Sequence, residues 1–224
     1  RFRVSARSGS PGGRAITASA TRCTPPVKRM KSVSPIEPWR LTSCSAAQNQ
    51  WQAPVLSAWL GGGPVGPALR AVVAPGVMGG VAGAAWLWAL AQVAPQALQP
   101  SDPASAVPLV VKLLYGGITE ELLVRWGVMT LLLWLGWRVV QRGKGLPGKA
   151  LVAVAVVLSA LLFAVGHLPA AQALAGVLTP PVVLFVLVGN TAFGLLAGAL
   201  YARRGLEAAI VAHVLAHLLS HPLL

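Results

Sequence analysis

ALVAVAVVLSALLFAVGH, residues 150–167, holds no charged side chain before its closing His167. Crossing the hydrocarbon of a bilayer takes about 20 predominantly apolar residues, and this run is nearly that long. Basic residues stand before it at Lys144 and Lys149, and Pro169 follows it. The pattern predicts a transmembrane helix over Ala150 to His167, stopped by the proline. Working outward, comparable runs are found at Ala71 to Val93, Val107 to Val140, Pro181 to Ala202 and Leu206 to Leu219. The run over 107–140 exceeds one comfortable span, and Gly116-Gly117 is read as a break within it. A short entering segment is then followed by a helix from about Ile118 to Trp137. The fold class is all-α: a polytopic membrane helix bundle of about five transmembrane helices.

Composition supports a bilayer as the solvent. The chain is 55% hydrophobic and 10% charged, with a mean hydropathy of +0.69. Soluble domains carry about 25% charged residues. The net charge of +13 invites a nucleic-acid reading, but its distribution argues against one. The segment 1–50 holds many of the cations, opposed by Glu37 alone, and the rest form short clusters beside apolar runs. Such clusters are topology signals before they are phosphate contacts. Arg70, the group Arg138, Arg142, Lys144 and Lys149, and the pair Arg203-Arg204 fall on one side if the chain crosses five times. That places the N-terminus in the cytoplasm of a multi-pass cell-membrane protein. The expected partner at this level is the lipid bilayer, not nucleic acid.

The domain reading follows. Residues 1–50, rich in Ser, Arg, Thr and Pro, are read as a disordered or spurious basic tail. A cytoplasmic tail and a transit-like segment are alternatives, but upstream sequence ahead of a start near Met30 or later is preferred. Residues 51–70, with two Trp among Gly and Pro, are read as an interfacial connector, and 71–224 as the transmembrane domain. Cys23 and Cys44 both lie in the tail, so no disulfide framework or thiol nucleophile is indicated.

Charges inside spans carry the functional information, because each is costly in hydrocarbon. In ITEELLVRWGVM (118–129), Glu120 and Glu121 are adjacent and point about 100° apart on a helix. Glu121 and Arg125, at i and i+4, share a face in the favourable order for an ion pair. Glu120 is left free to face a cavity, as a general base or acid. His167 closes the third span. His213 and His217 lie at i and i+4 on one face of the last helix. Taken alone, His167 is more often a hydrogen-bonded structural residue, and for His213 and His217 the structural and functional readings weigh equally. Taken together, a carboxylate and three imidazoles suffice to deprotonate a water and to donate to an oxyanion.

These motifs, in this order, have a counterpart. Glu-Glu-x-x-x-Arg over 120–125, Phe-x-x-x-His over 163–167, and a last helix bearing His213 with a polar residue four on resemble the CPBP family. These are the CAAX-protease and bacteriocin-processing, or Abi, intramembrane peptidases. The stretch FGLLAGALYARRGLEAAIVAHVLAH (193–217) resembles that family's closing region. The resemblance covers about 105–222. It implies that Glu120 activates water with His167, that His213 and residue 217 support the oxyanion, and that Glu121 and Arg125 support the helix. One position departs: the family commonly has Asn where this chain has His217.

That departure opens a metal question. The preferred reading has no cofactor. The alternative is zinc held by His167, His213 and His217 with Glu120 as base. No second-shell carboxylate for these imidazoles is evident, since Glu207 lies a turn or more away. Two non-peptidase readings remain at this stage: a non-catalytic self-immunity or scaffold protein, and a small proton-coupled transporter. Glu and His inside a membrane serve proton relays as well, but no inverted repeat is visible.

Overall fold

A computed structural model of the chain describes residues 53–99 and 107–221. The tail 1–50 lies outside the described residues. Among those described, every regular element is helical: α1 (Pro54–Leu60), α2 (Val65–Ala91), α3 (Leu109–Val139), α4 (Lys149–Gly166), α5 (Leu168–Ala175), α6 (Pro180–Arg204) and α7 (Leu206–Ser220), with a single 3₁₀ turn at Gln96–Leu98. The chain is a polytopic helical membrane bundle. Four helical segments are long and apolar enough to cross a bilayer: α2, α3, α6, and α4 with α5 as one rod from Lys149 to Ala175. The expected fifth span is α7, which has 15 residues. At 1.5 Å per residue it reaches roughly 22 Å, shorter than the others.

Lipid replaces water around such a bundle, so its helices associate by close packing of small residues. On α2, Gly76, Gly79, Gly80 and Gly83 form the buried stripe. A Cβ at Gly76 would lie 2.8 Å from Val211 Cβ, and one at Gly83 would lie 2.9 Å from Ala216 Cβ. The stripe therefore seats α7 directly on the α2 backbone. On α6, Gly194 meets the backbone of Ala160 and Gly198 meets Val156, which draws α6 against α4. The bond between Thr130 Oγ1 and Tyr201 Oη, 2.7 Å, joins α3 to α6. Gly205, with φ of +93°, turns the chain sharply from α6 into α7. A left-handed φ of this kind favours glycine.

Two sequence expectations are corrected. Gly116-Gly117 does not break the second apolar run, because α3 is continuous from Leu109 to Val139. The two glycines are instead the point where α7 presses on α3: a Cβ at Gly117 would meet Val214 Cγ2 at 2.5 Å. Nor does Pro169 stop the third apolar run. It sits in the first turn of α5, where its missing N–H costs nothing, and the helical path resumes after His167. The connector also holds more structure than its Gly and Pro content suggests. Glu207 Oε1 accepts from the N–H groups of Val55 and Leu56, each at 3.0 Å, and so caps α1.

The backbone of α3 is unusual. Two π-helical stretches, Lys112–Thr119 and Leu122–Met129, flank Glu120 and Glu121. The buried residues of this helix are Gly116, Gly117, Glu121, Arg125, Met129 and Leu133. From Gly117 onward they fall at every fourth position. In a pure α-helix that spacing would rotate by about 40° per step and leave the core. The wider π turns cancel the drift and hold Glu121 and Arg125 on the buried face.

Candidate active site

Four helices deliver the chemistry. Glu120 and Glu121 come from the middle of α3, His167 from the joint of α4 and α5, and His213 and His217 from α7. Glu120, His167, His213 and His217 all line one cavity of about 510 Å³. Its other walls are mainly apolar, with Phe163, Phe185 and Phe193 among them, and Lys112 and Asn190 add polar groups.

The two carboxylates separate as the 100° argument requires. The Glu120 side chain is 17% exposed and faces His167, whose side chain is 31% exposed, across 3.8 Å from Oε1 to Nε2. Glu121 is fully buried. Its Oε2 lies 3.3 Å from Arg125 Nε, so the anticipated i, i+4 pair is present. Of the two carboxylates, only Glu120 lines the cavity.

Glu121 does more than pair with arginine. Its Oε1 lies 2.8 Å from His213 Nδ1. The expectation that these imidazoles lack a carboxylate partner is thus overturned, and the partner is on another helix, 92 positions away. Arg125 in turn sits over the Phe163 ring at 4.9 Å, a cation–π contact in a dry setting. A chain of contacts runs from Phe163 through Arg125 and Glu121 to His213.

The hydrogen bonds fix which nitrogens face the cavity. His167 Nδ1 lies 2.8 Å from the Phe163 carbonyl oxygen, which only accepts. Nδ1 therefore carries a proton, and the neutral ring turns its Nε2 lone pair towards Glu120. The same logic applies to His213: its Nδ1–H is given to Glu121, so Nε2 donates only when the ring holds both protons. His213 and His217 stack with ring centroids 4.9 Å apart and planes 27° apart. Beneath them lies Gly116, where a Cβ would stand 2.8 Å from His217 Nε2 and 3.8 Å from His213 Nε2. Glycine at this point leaves room for the two rings.

A zinc ion fits this donor set poorly. Among the described residues, no group of three or more His, Cys, Asp or Glu side chains is arranged to hold a metal. His167 reaches towards Glu120 rather than towards the stacked pair.

Residues 102–219, just over half of the chain, match the model of the Rce1-like type II CAAX prenyl endopeptidases. The chain belongs to that family. No curated protein matches it, and neither does any solved structure. Membership makes it a membrane protein of a peptidase family and agrees with the resemblance drawn from Glu120–Arg125, Phe163–His167 and His213.

Three features of the site escaped the sequence reading. The Glu121–His213 bond needs the α3–α7 packing to be seen. Gly116 was noticed, but as a break rather than as a seat for imidazoles. Lys112 carried a usable signal, being a lone cation near the start of an apolar run.

Proposed function

We propose that this protein is an intramembrane endopeptidase that hydrolyses a peptide bond in a membrane-associated peptide or protein, with water activated by Glu120 and His167. The observation that carries this is the facing of Glu120 Oε1 and His167 Nε2 across 3.8 Å on the wall of a largely apolar cavity. Both atoms are acceptors when Glu120 is ionised and His167 neutral. A single water roughly 2.8 Å from each can donate to both, leaving its lone pairs free. That water attacks the scissile carbonyl carbon and gives its proton to the Glu120–His167 pair. The tetrahedral oxyanion is met by donors from His217, and from His213 when its ring carries both protons. Collapse breaks the C–N bond, and the captured proton passes to the leaving amine. Glu121 and Arg125 do not touch substrate in this scheme; they hold the His213 ring.

No metal enters these steps. Lys112 on the cavity wall offers a cation to an anionic group of the substrate, a peptide carboxylate being the simplest. A prenylated C-terminus is a substrate only where the host makes one.

The reading includes an orientation. Because α3 and α4, and α4 and α6, run antiparallel as neighbours, Arg138, Lys149 and Arg203 share one face of the bundle. The positive-inside rule puts that face and the N-terminus in the cytoplasm of a cell-membrane protein. Single cysteines at 142 and 172 test it: an impermeant reagent applied outside should label 172 and spare 142, and the reverse overturns it.

The decisive experiment is turnover of a quenched fluorescent peptide library by purified protein in detergent or liposomes. Glu120→Gln keeps the side-chain shape and removes the base, so hydrolysis should fall by about 10²–10⁴-fold while the melting temperature holds. Equal turnover by the variant sinks the assignment. Absence of turnover by the wild type, with proton-linked uptake in liposomes, would favour a transporter instead.

A further inference from the structure

A second cavity, of about 740 Å³, lies between α4 and α6 at the Lys149 end of α4, the end away from His167. Its walls are Val152, Ala153, Val156 and Val157 from α4, and Ala199 and Ala202 from α6. Its shape follows from the packing. Gly194 and Gly198 hold the two helices together, a Cβ at Gly194 standing 2.9 Å from Ala160 Cα and one at Gly198 standing 3.1 Å from Val156 Cγ1. One turn further along α6 the small-residue ladder continues as Ala202, and there the groove opens. At that open end stand Lys149, at the first turn of α4, and Arg203, in the last turn of α6. Both are exposed, and among the described residues neither pairs with a carboxylate.

We infer that this groove binds one anionic phospholipid, with its phosphate between Lys149 and Arg203 and an acyl chain along the valine and alanine wall. Three observations converge. The apolar groove opens on the outside of the bundle, where Ala153 and Val157 are exposed, and a lipid is the neighbour at hand there. Two cations from different helices, one in the first turn of α4 and one in the last turn of α6, line the same groove, and the ends of spanning helices stand at the level of the headgroups. Basic pockets of this kind between transmembrane helices take anionic headgroups. Neither cation nor groove belongs to the catalytic cavity, so the site stands apart from the peptidase reading. Its consequence reaches the site all the same: a lipid bridging Lys149 and Arg203 braces α4, whose other end carries Phe163 and His167.

Native mass spectrometry of the detergent-purified protein tests this, titrated with phosphatidylglycerol, phosphatidylcholine and inorganic phosphate. Wild type should retain one phosphatidylglycerol at least tenfold better than phosphatidylcholine. The double variant K149Q/R203Q should lose that preference, and K144Q/R204Q, which removes the same charge outside the groove, should keep it. Ala153→Trp fills the groove and leaves both cations, so it should weaken retention of phosphatidylglycerol. Melting temperature should rise with phosphatidylglycerol in wild type and not in K149Q/R203Q. Equal retention of the two lipids, equal loss in both double variants, or full displacement by inorganic phosphate would each overturn the proposal.

Discussion

Gly116→Ala probes the candidate site with a single methyl group. In a helix interior, alanine is favoured over glycine by about 0.5–1 kcal/mol. The new Cβ, however, would stand 2.8 Å from His217 Nε2 and 3.3 Å from its Cδ2, where an ordinary contact begins near 3.4 Å. His217 is the far end of a side chain and gives way, retreating by about 0.6 Å. A misplacement of 1 Å costs about 10²-fold in rate, so a 0.6 Å retreat should lose about tenfold in kcat with little change in stability. Gly117→Ala is the contrasting case. Its Cβ would meet Val214 Cγ2 at 2.5 Å and the Val214 backbone at 3.2 and 3.3 Å. Backbone cannot retreat unless α3 and α7 separate, so this variant should lose about 1–3 kcal/mol of stability. The assay is peptide turnover beside thermal unfolding in the same detergent. Wild-type kcat in a folded Gly116→Ala protein would refute the placement of His217 in the catalytic cavity.

Two further perturbations test neighbouring parts of the argument. Glu121→Gln removes the buried charge facing Arg125 and leaves one acceptor oxygen where Arg125 and His213 had two; breaking such a pair costs about 3–5 kcal/mol, so the melting temperature should drop sharply, and an unchanged melt would show that the pair does not hold the bundle. His217→Asn retains an N–H for the oxyanion and should keep activity within about tenfold, with chelators having no effect; about one zinc per chain, lost in step with activity, would overturn the metal-free mechanism.

Much of this protein could be read from its linear pattern. Uncharged runs near 20 residues long can only be buried in a bilayer, and backbone groups in lipid must be satisfied within the segment, so helices were required. The charges left inside those runs had to be functional or paired, which pointed to Glu120, Glu121, Arg125 and the histidines. The i, i+4 spacing gave the Glu121–Arg125 pair, because that contact is local. Contacts between distant segments have no such signature. The bond from Glu121 to His213 depends on α3 and α7 meeting at Gly116 and Gly117, and those glycines look alike in sequence whether they break a helix or admit another. The π-helical turns that keep Glu121 and Arg125 facing inward are equally invisible in a pattern read at 3.6 residues per turn. The sequence could nominate the candidate groups, but only the packing of the helices, α7 against α2 and α3 above all, decided which nitrogen and which oxygen face one another, because those distances are set by small residues that let helix backbones touch.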